Sequence, residues 1–353
     1  MTQNESYMPN TPPSLFIDAL EYPEPSRQWF EEWRAGNLAC VHVTLAIWEN
    51  ARETLTRIGL WRRAIRENAD IVRLTTTATD ILKNQAEGKT SIVFGFQNTA
   101  PIEHDIELIE TFRDLGVCVM QLTYNLQNYI GCGYWETEDS GLSSRFGREA
   151  VREMNRVGVL IDLSHCGVRT TRDAIDFSSR PVSITHANPN VGAEVAFGAK
   201  RLKDMATLKA LAERGGVVGL SPNKHMLANG VHTTVEEFCA LVARTVDAIG
   251  VDAVGIGVDY CAGHPPSVRT WWRYARWSRD VAPATTVAPH EGWQQWFRNP
   301  SDFGNIFAGL TARGFSQEDV NALMGGNWQK LFSESFKPAA PDSILGLAPA
   351  AAG

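Results

Sequence analysis

The chain has 353 residues, 44% of them hydrophobic and 21% charged, with a formal net charge of −7 at pH 7. That apolar share excludes a disordered chain, and the length fits one α/β barrel as well as two smaller domains. The acidic balance gives no basic stripe for nucleic acid or an anionic membrane, and no run of about 18 apolar residues marks a membrane span.

Residues 1–13 are polar and proline-containing and read as a loose arm, without the basic and apolar regions of a signal peptide. The six cysteines are scattered with no CxxC, so free thiols in a reducing cytoplasm are expected. Eight short apolar runs then follow one another, near 14–20, 38–46, 91–97, 117–124, 159–165, 181–186, 216–221 and 253–259. Continuous runs of this length suit strands buried on both faces.

Amphipathic segments separate the runs. The long stretch 47–90 has room for two helices. Ile106, Leu108, Ile109 and Phe112 fall at helical spacing ahead of Leu115-Gly116, and Phe146 to Val157 stops at Gly158. Ser316 to Asp319 resembles a capping box opening a helix with Val320, Leu323 and Met324. After the last run, 261–300 holds Trp271, Trp272, Tyr274, Trp277, Trp293 and Trp296. This segment reads either as a lid or aromatic box over a site mouth or as a packed insertion or dimer surface. The Ala/Pro-rich 338–353 reads as a frayed tail. Alternating strands and helices predict a (β/α)8 TIM-type barrel over 14–337, a single domain with a long Trp-rich insertion after the last strand. A doubly wound sheet is the rival.

Barrel sites form at the carboxyl ends of the strands. Those ends read Asp18, His42 and Thr44, Gln97 and Asn98, Tyr124 and Asn125, His165, His186, Ser221 and Asn223, and Asp259. Two imidazoles on sequential strands and a carboxylate on the last strand point to a shared metal site, with Zn²⁺ the suited cation. Asp259 is then a ligand or the base that takes a proton from water. Tyr124 carries a phenol that can donate a hydrogen bond. Asn98 and Asn125 are candidates for hydrogen bonds to substrate.

The stretch from Gly141-Leu142-Ser143 through Phe146-Gly147-Arg148, Met154-Asn155-Arg156-Val157-Gly158 and Ile161-Asp162-Leu163-Ser164-His165 resembles the "GLT…FGxxxVxxMNxxGxxxDxSH" block of the membrane (renal) dipeptidases. Thr185-His186 and Gly255 to Asp259 are similar to two further motifs of that family, and the likeness runs from about Ser14 to Phe332. The resemblance implies a barrel hydrolase, a binuclear zinc peptidase fold, a dipeptide or similar small substrate and a homodimer. It also marks departures. The family's "DGHxD" appears as Asp18-Ala19-Leu20-Glu21-Tyr22, its bridging glutamate as Gln97, and the histidine of its "LTHN" as Tyr124. The family arginine that grips the substrate carboxylate falls at Lys200 or Arg201.

One metal per chain is therefore expected rather than two, held by His165, His186 and Asp259, with Gln97 and Asp18 as further ligands. Glu21 reads as a substitute ligand or as a solvated group at a strand exit. The expected function is metal-dependent cleavage of an amide bond by activated water. The alternatives are a relative acting on a methylated amine, as the resemblance to a dimethylglycine- or betaine-associated subgroup implies, and a ligand-binding descendant without catalysis.

Overall fold

A computed structural model of the chain describes residues 15–196, 198–264, 268, 271–272 and 292–339. The predicted arm, most of the tail, and Tyr274 and Trp277 lie outside the described residues. Strands β1 (Phe16–Pro23), β2 (Leu38–Ala46), β3 (Val72–Leu74), β4 (Thr90–Phe96), β5 (Val117–Gln121), β6 (Leu160–Asp162), β7 (Ser183–Ile184), β8 (Val217–Leu220), β9 (Val254–Ile256) and β10 (Tyr260–Ala262) form one sheet. Every strand pair is parallel. The order runs β10-β1-β2-β4-β5-β6-β7-β8-β9, with β3 attached to β4. Because β10 resumes the line of β9 after Gly257–Asp259 and pairs with β1, the sheet closes on itself as the expected α/β barrel.

Each predicted apolar run contributes a strand, and β1, β2 and β4 are buried along their whole length. The stretch 47–90 holds α2 (Ala51–Glu67) and α3 (Ala78–Ala86), as its length predicts. Between them lies β3, three residues with no apolar run of its own to announce it. The helix over Phe146–Val157 ends on Gly158 in the left-handed conformation (φ 81°), where the backbone of Lys337 would collide with a Cβ. At the helix of Gln317–Asn321 the Ser316 Oγ accepts from the Asp319 N–H, as the sequence suggests.

The two ends of the barrel differ. The amino-terminal halves of the strands meet an apolar floor of Ile17, Val93, Val119, Leu160 and Val217, sealed by Trp328, Leu331 and Phe332 of the helix Asn327–Ser335. Trp328 donates its indole N–H to Ile256 O at 3.0 Å and lies where a Cβ on Gly255 would stand, so this strand passes it only as glycine. Burial of those rings supplies roughly 1.5–3 kcal/mol each. The carboxyl halves are polar: Asp18, His42, Gln97, Gln121 and Asp162 are all buried inside. None of the six cysteines forms a disulfide. Among the described residues no helix is long and apolar enough to cross a membrane.

Candidate functional site

The site is organised around Asp162, the last residue of β6. Its Oδ1 accepts from Ser164 N (3.2 Å), Ser164 Oγ (2.6 Å) and Thr185 N (2.8 Å), and its Oδ2 accepts from Thr185 Oγ1 (2.8 Å). These bonds tie the end of β6 to the end of β7 and set the two following histidines. Thr185 gives its only proton to Asp162. The His186 Nδ1 at 2.8 Å from Thr185 Oγ1 must therefore be the donor there. His165 Nδ1 donates in the same way to Asn125 Oδ1 at 2.7 Å. Each imidazole thus carries its proton on Nδ1 and leaves Nε2 bare. The two Nε2 atoms face each other at 2.9 Å. Burial pushes both rings well below the usual histidine range, and the Arg201 charge acts in the same direction, so both are neutral at pH 7.

Arg201 is the arginine whose register the sequence left open. It is 1% exposed and lies inside the site. Nη1 donates to Ser164 O (3.0 Å), Nη2 donates to His186 O (2.8 Å) and stands 3.3 Å from His165 Nε2. Its Nε is buried with no partner among the described residues. Lys200, the other residue at that register, is exposed and its ammonium donates to Glu136 O at 3.0 Å.

Asp259 follows β9 with φ 60°, a left-handed conformation that aspartate tolerates better than most residues. Its N–H donates to Leu20 O at 2.9 Å and its Oδ2 accepts from Asn223 Nδ2 at 2.8 Å. Burial lifts its carboxyl to about 6, against the opposing pull of Arg201 and Asn223. Tyr124 stacks on His165, with ring centroids 4.2 Å apart and planes inclined by 19°. Burial raises its phenol well above the usual range, so it is a neutral donor.

Gln97 donates to Thr44 Oγ1 at 2.9 Å, and its backbone oxygen accepts from Gln121 Nε2. Asp18 uses Oδ1 to accept from Leu20 N (3.2 Å) and Val258 N (2.9 Å), latching the seam between β1 and β9. Its Oδ2 and the Glu21 Oε1 are both buried with no hydrogen-bond partner among the described residues, and burial pushes both carboxyls up. Glu21 is fully buried and accepts from Trp33 Nε1 at 2.7 Å, so the expectation of a solvated strand exit is wrong. A bulge interrupts the register of β1 between Asp18 and Glu21.

The sequence reading missed two supports. Asn223 stood on the strand-end rim without a role. Lys203 is buried and donates to Leu163 O (2.8 Å) and Cys166 O (2.9 Å), bracketing His165. A lysine in a polar loop gives no sign of burial.

The residues do not fit a binuclear centre. Leu20 and Tyr22 offer no ligand, and Tyr22 is packed into rings, 4.6 Å from His264 and 4.9 Å from Trp272. Among the described residues no group of three or more His, Cys, Asp or Glu side chains forms a cation cage. They do fit one cation in part: two bare, neutral, convergent imidazole nitrogens with fixed outer hydrogen bonds are half of a zinc ligand set.

Known proteins share the fold and part of the sequence. The model of the membrane dipeptidase family (peptidase family M19) matches residues 28–272. Dipeptidase tcpJ of Claviceps purpurea is 26% identical over 301 residues, which are 83% of this chain and 62% of that protein. The chain spans about half to three-fifths of the length of the curated relatives it matches. An amidohydrolase from Pseudomonas aeruginosa is 33% identical with a TM-score of 0.84, covering 92% of this chain and 97% of that one. A metallopeptidase from Rhodobacter sphaeroides, solved with a phosphinate mimic of L-Ala-D-Ala, shares the fold at 16% identity, with a TM-score of 0.74 and coverage of 91% and 99%.

Proposed function

The chain belongs to the membrane dipeptidase family, and we propose that it hydrolyses the amide bond of a dipeptide or similar small substrate with the help of one zinc ion held by His165 and His186. The observation that carries the proposal is the pair of bare Nε2 atoms facing each other beside Arg201. When bound, the cation supplies a Lewis acid that polarises the scissile carbonyl and acidifies water.

The protein's own groups do the rest. Asp259, held by Asn223 and ionised above a pKa of about 6, takes the proton from the attacking water and returns it to the leaving amine. The neutral Tyr124 phenol donates to the oxygen that gains charge. Arg201, anchored on two backbone carbonyls, offers its Nε–H and its charge to the substrate carboxylate. Asn125 keeps the His165 lone pair directed at the reaction centre.

Metal analysis of the purified protein together with a panel of dipeptides tests the reading. About one zinc per chain, lost in His165→Ala or His186→Ala, and release of free amino acids are expected. A folded chain that takes up no metal and cleaves no dipeptide would overturn it.

A further inference from the structure

On the far side of Tyr124 from His165, behind Trp48, lies a cavity of about 800 Å³ that the catalytic reading leaves unused. It is lined by Trp48, Asn98, Glu103, Tyr129 and Glu136 among others, and neither lysine nor arginine is present in its lining. Two ring contacts connect it to the reaction centre. Trp48 meets Tyr124 edge-on at 5.9 Å, and Tyr124 stacks on His165.

Three features of the wall indicate what enters. Asn98 is 1% exposed, and its Oδ1 accepts from Thr99 N and Asn128 Nδ2, both at 2.9 Å. Its Nδ2 is left buried with no partner among the described residues. Leaving such a donor unmet costs about 1–3 kcal/mol, a penalty that a ligand oxygen relieves. Glu136 accepts from Gln127 N at 2.6 Å through Oε1, and Glu103 accepts from Ala51 N at 3.3 Å through Oε1. Each has its other carboxylate oxygen unbonded among the described residues. The two carboxylates outnumber the one nearby ammonium, that of Lys200 on the Glu136 backbone oxygen, and with the rings of Trp48 and Tyr129 in the lining they favour a cation.

We propose that this cavity is the subsite for the amino-terminal residue of the substrate and that it selects a cationic side chain such as that of lysine. The direction rests on the dipeptidase reading above: with the substrate carboxylate at Arg201, the far end of a dipeptide passes Tyr124 toward Trp48. An oxygen of that residue accepts from Asn98 Nδ2, and its ammonium lies between Glu103 and Glu136.

The test compares lysyl-alanine with norleucyl-alanine, which differ by the charge, on the wild-type chain and on the double variant Glu103→Gln, Glu136→Gln. A preference of about 5- to 10-fold in kcat/KM for the lysyl substrate is expected, as for a partly exposed ion pair with an aromatic face. That ratio should fall to about one in the double variant. In parallel, calorimetry measures the binding of lysinamide and norleucinamide, which needs no turnover. Hydrolysis of both dipeptides at equal rates overturns the subsite and leaves the hydrolase reading standing. Absence of any hydrolysis, with lysinamide binding that is lost in the double variant, upholds the subsite and defeats the hydrolase reading. Equal binding of the two amides overturns the subsite.

Discussion

His165 and His186 present their Nε2 atoms to each other at 2.9 Å, each with its only proton committed to an oxygen on the far side of the ring. Two lone pairs so close repel one another, and a cation between or beside them relieves that repulsion. The Arg201 Nη2 at 3.3 Å relieves part of it from one side.

Zinc added to chelator-treated protein should therefore raise the melting temperature. Ligand at about 100-fold over its dissociation constant stabilises the native state by about 2.7 kcal/mol. The double variant His165→Ala, His186→Ala should show no such rise while keeping its circular dichroism. An equal rise in the variant would place the bound cation elsewhere.

Asp259 must be ionised to take a proton, and its carboxyl is pushed up to about 6. kcat/KM should thus fall as the pH drops through about 6 and level off above it. Asp259→Asn should keep the fold and lose about 10²-fold or more in turnover, together with that acid limb. An unchanged limb in the variant would assign the titration to another group.

Asp18 gives a stability signature of the opposite kind. Burial lifts its carboxyl from 3.8 to about 7, so the folded chain prefers the protonated form. Between pH 4 and 7 the unfolded chain ionises while the folded one does not, and the stability present below pH 4 is progressively lost. Asp18→Asn can keep the bonds from Leu20 and Val258 without the charge. Denaturant titrations across this range should show the variant gaining on the wild type as pH rises. A constant difference would refute the protonated form of Asp18 in the folded chain.

Lys203→Met should leave Leu163 O and Cys166 O without their donor, at a cost of about 1–3 kcal/mol for each buried group. Because both carbonyls flank His165, zinc affinity should fall along with stability. A destabilised variant with unchanged zinc affinity would reduce Lys203 to a purely structural pin.

The sequence made the barrel legible because its strands are buried on both faces and so appear as unbroken apolar runs. It missed β3, which has only three residues, and β10, which is separated from β9 by the left-handed turn at Asp259. Strand-end histidines were equally legible, since His165 and His186 close apolar runs. The groups that fix them were harder to find. Arg201 arrives from a loop through a short 3-10 turn, so its position follows from tertiary packing and not from periodicity. Glu21 looked like a solvated group because it stands at the exit of its apolar run. The bulge between Asp18 and Glu21 has no marker in the residues themselves.

The packing of Tyr22 against Trp272 and His264 bears on how the chain could change in future. Placing histidine at position 20 and aspartate at position 22 would not by itself create a two-metal pocket, because the aspartate would arrive among ring faces and leave a hole where the phenol had been. The indole above would have to withdraw at the same time. A two-metal centre at this end of the barrel is thus opposed by shape, through a neighbour that carries no chemistry.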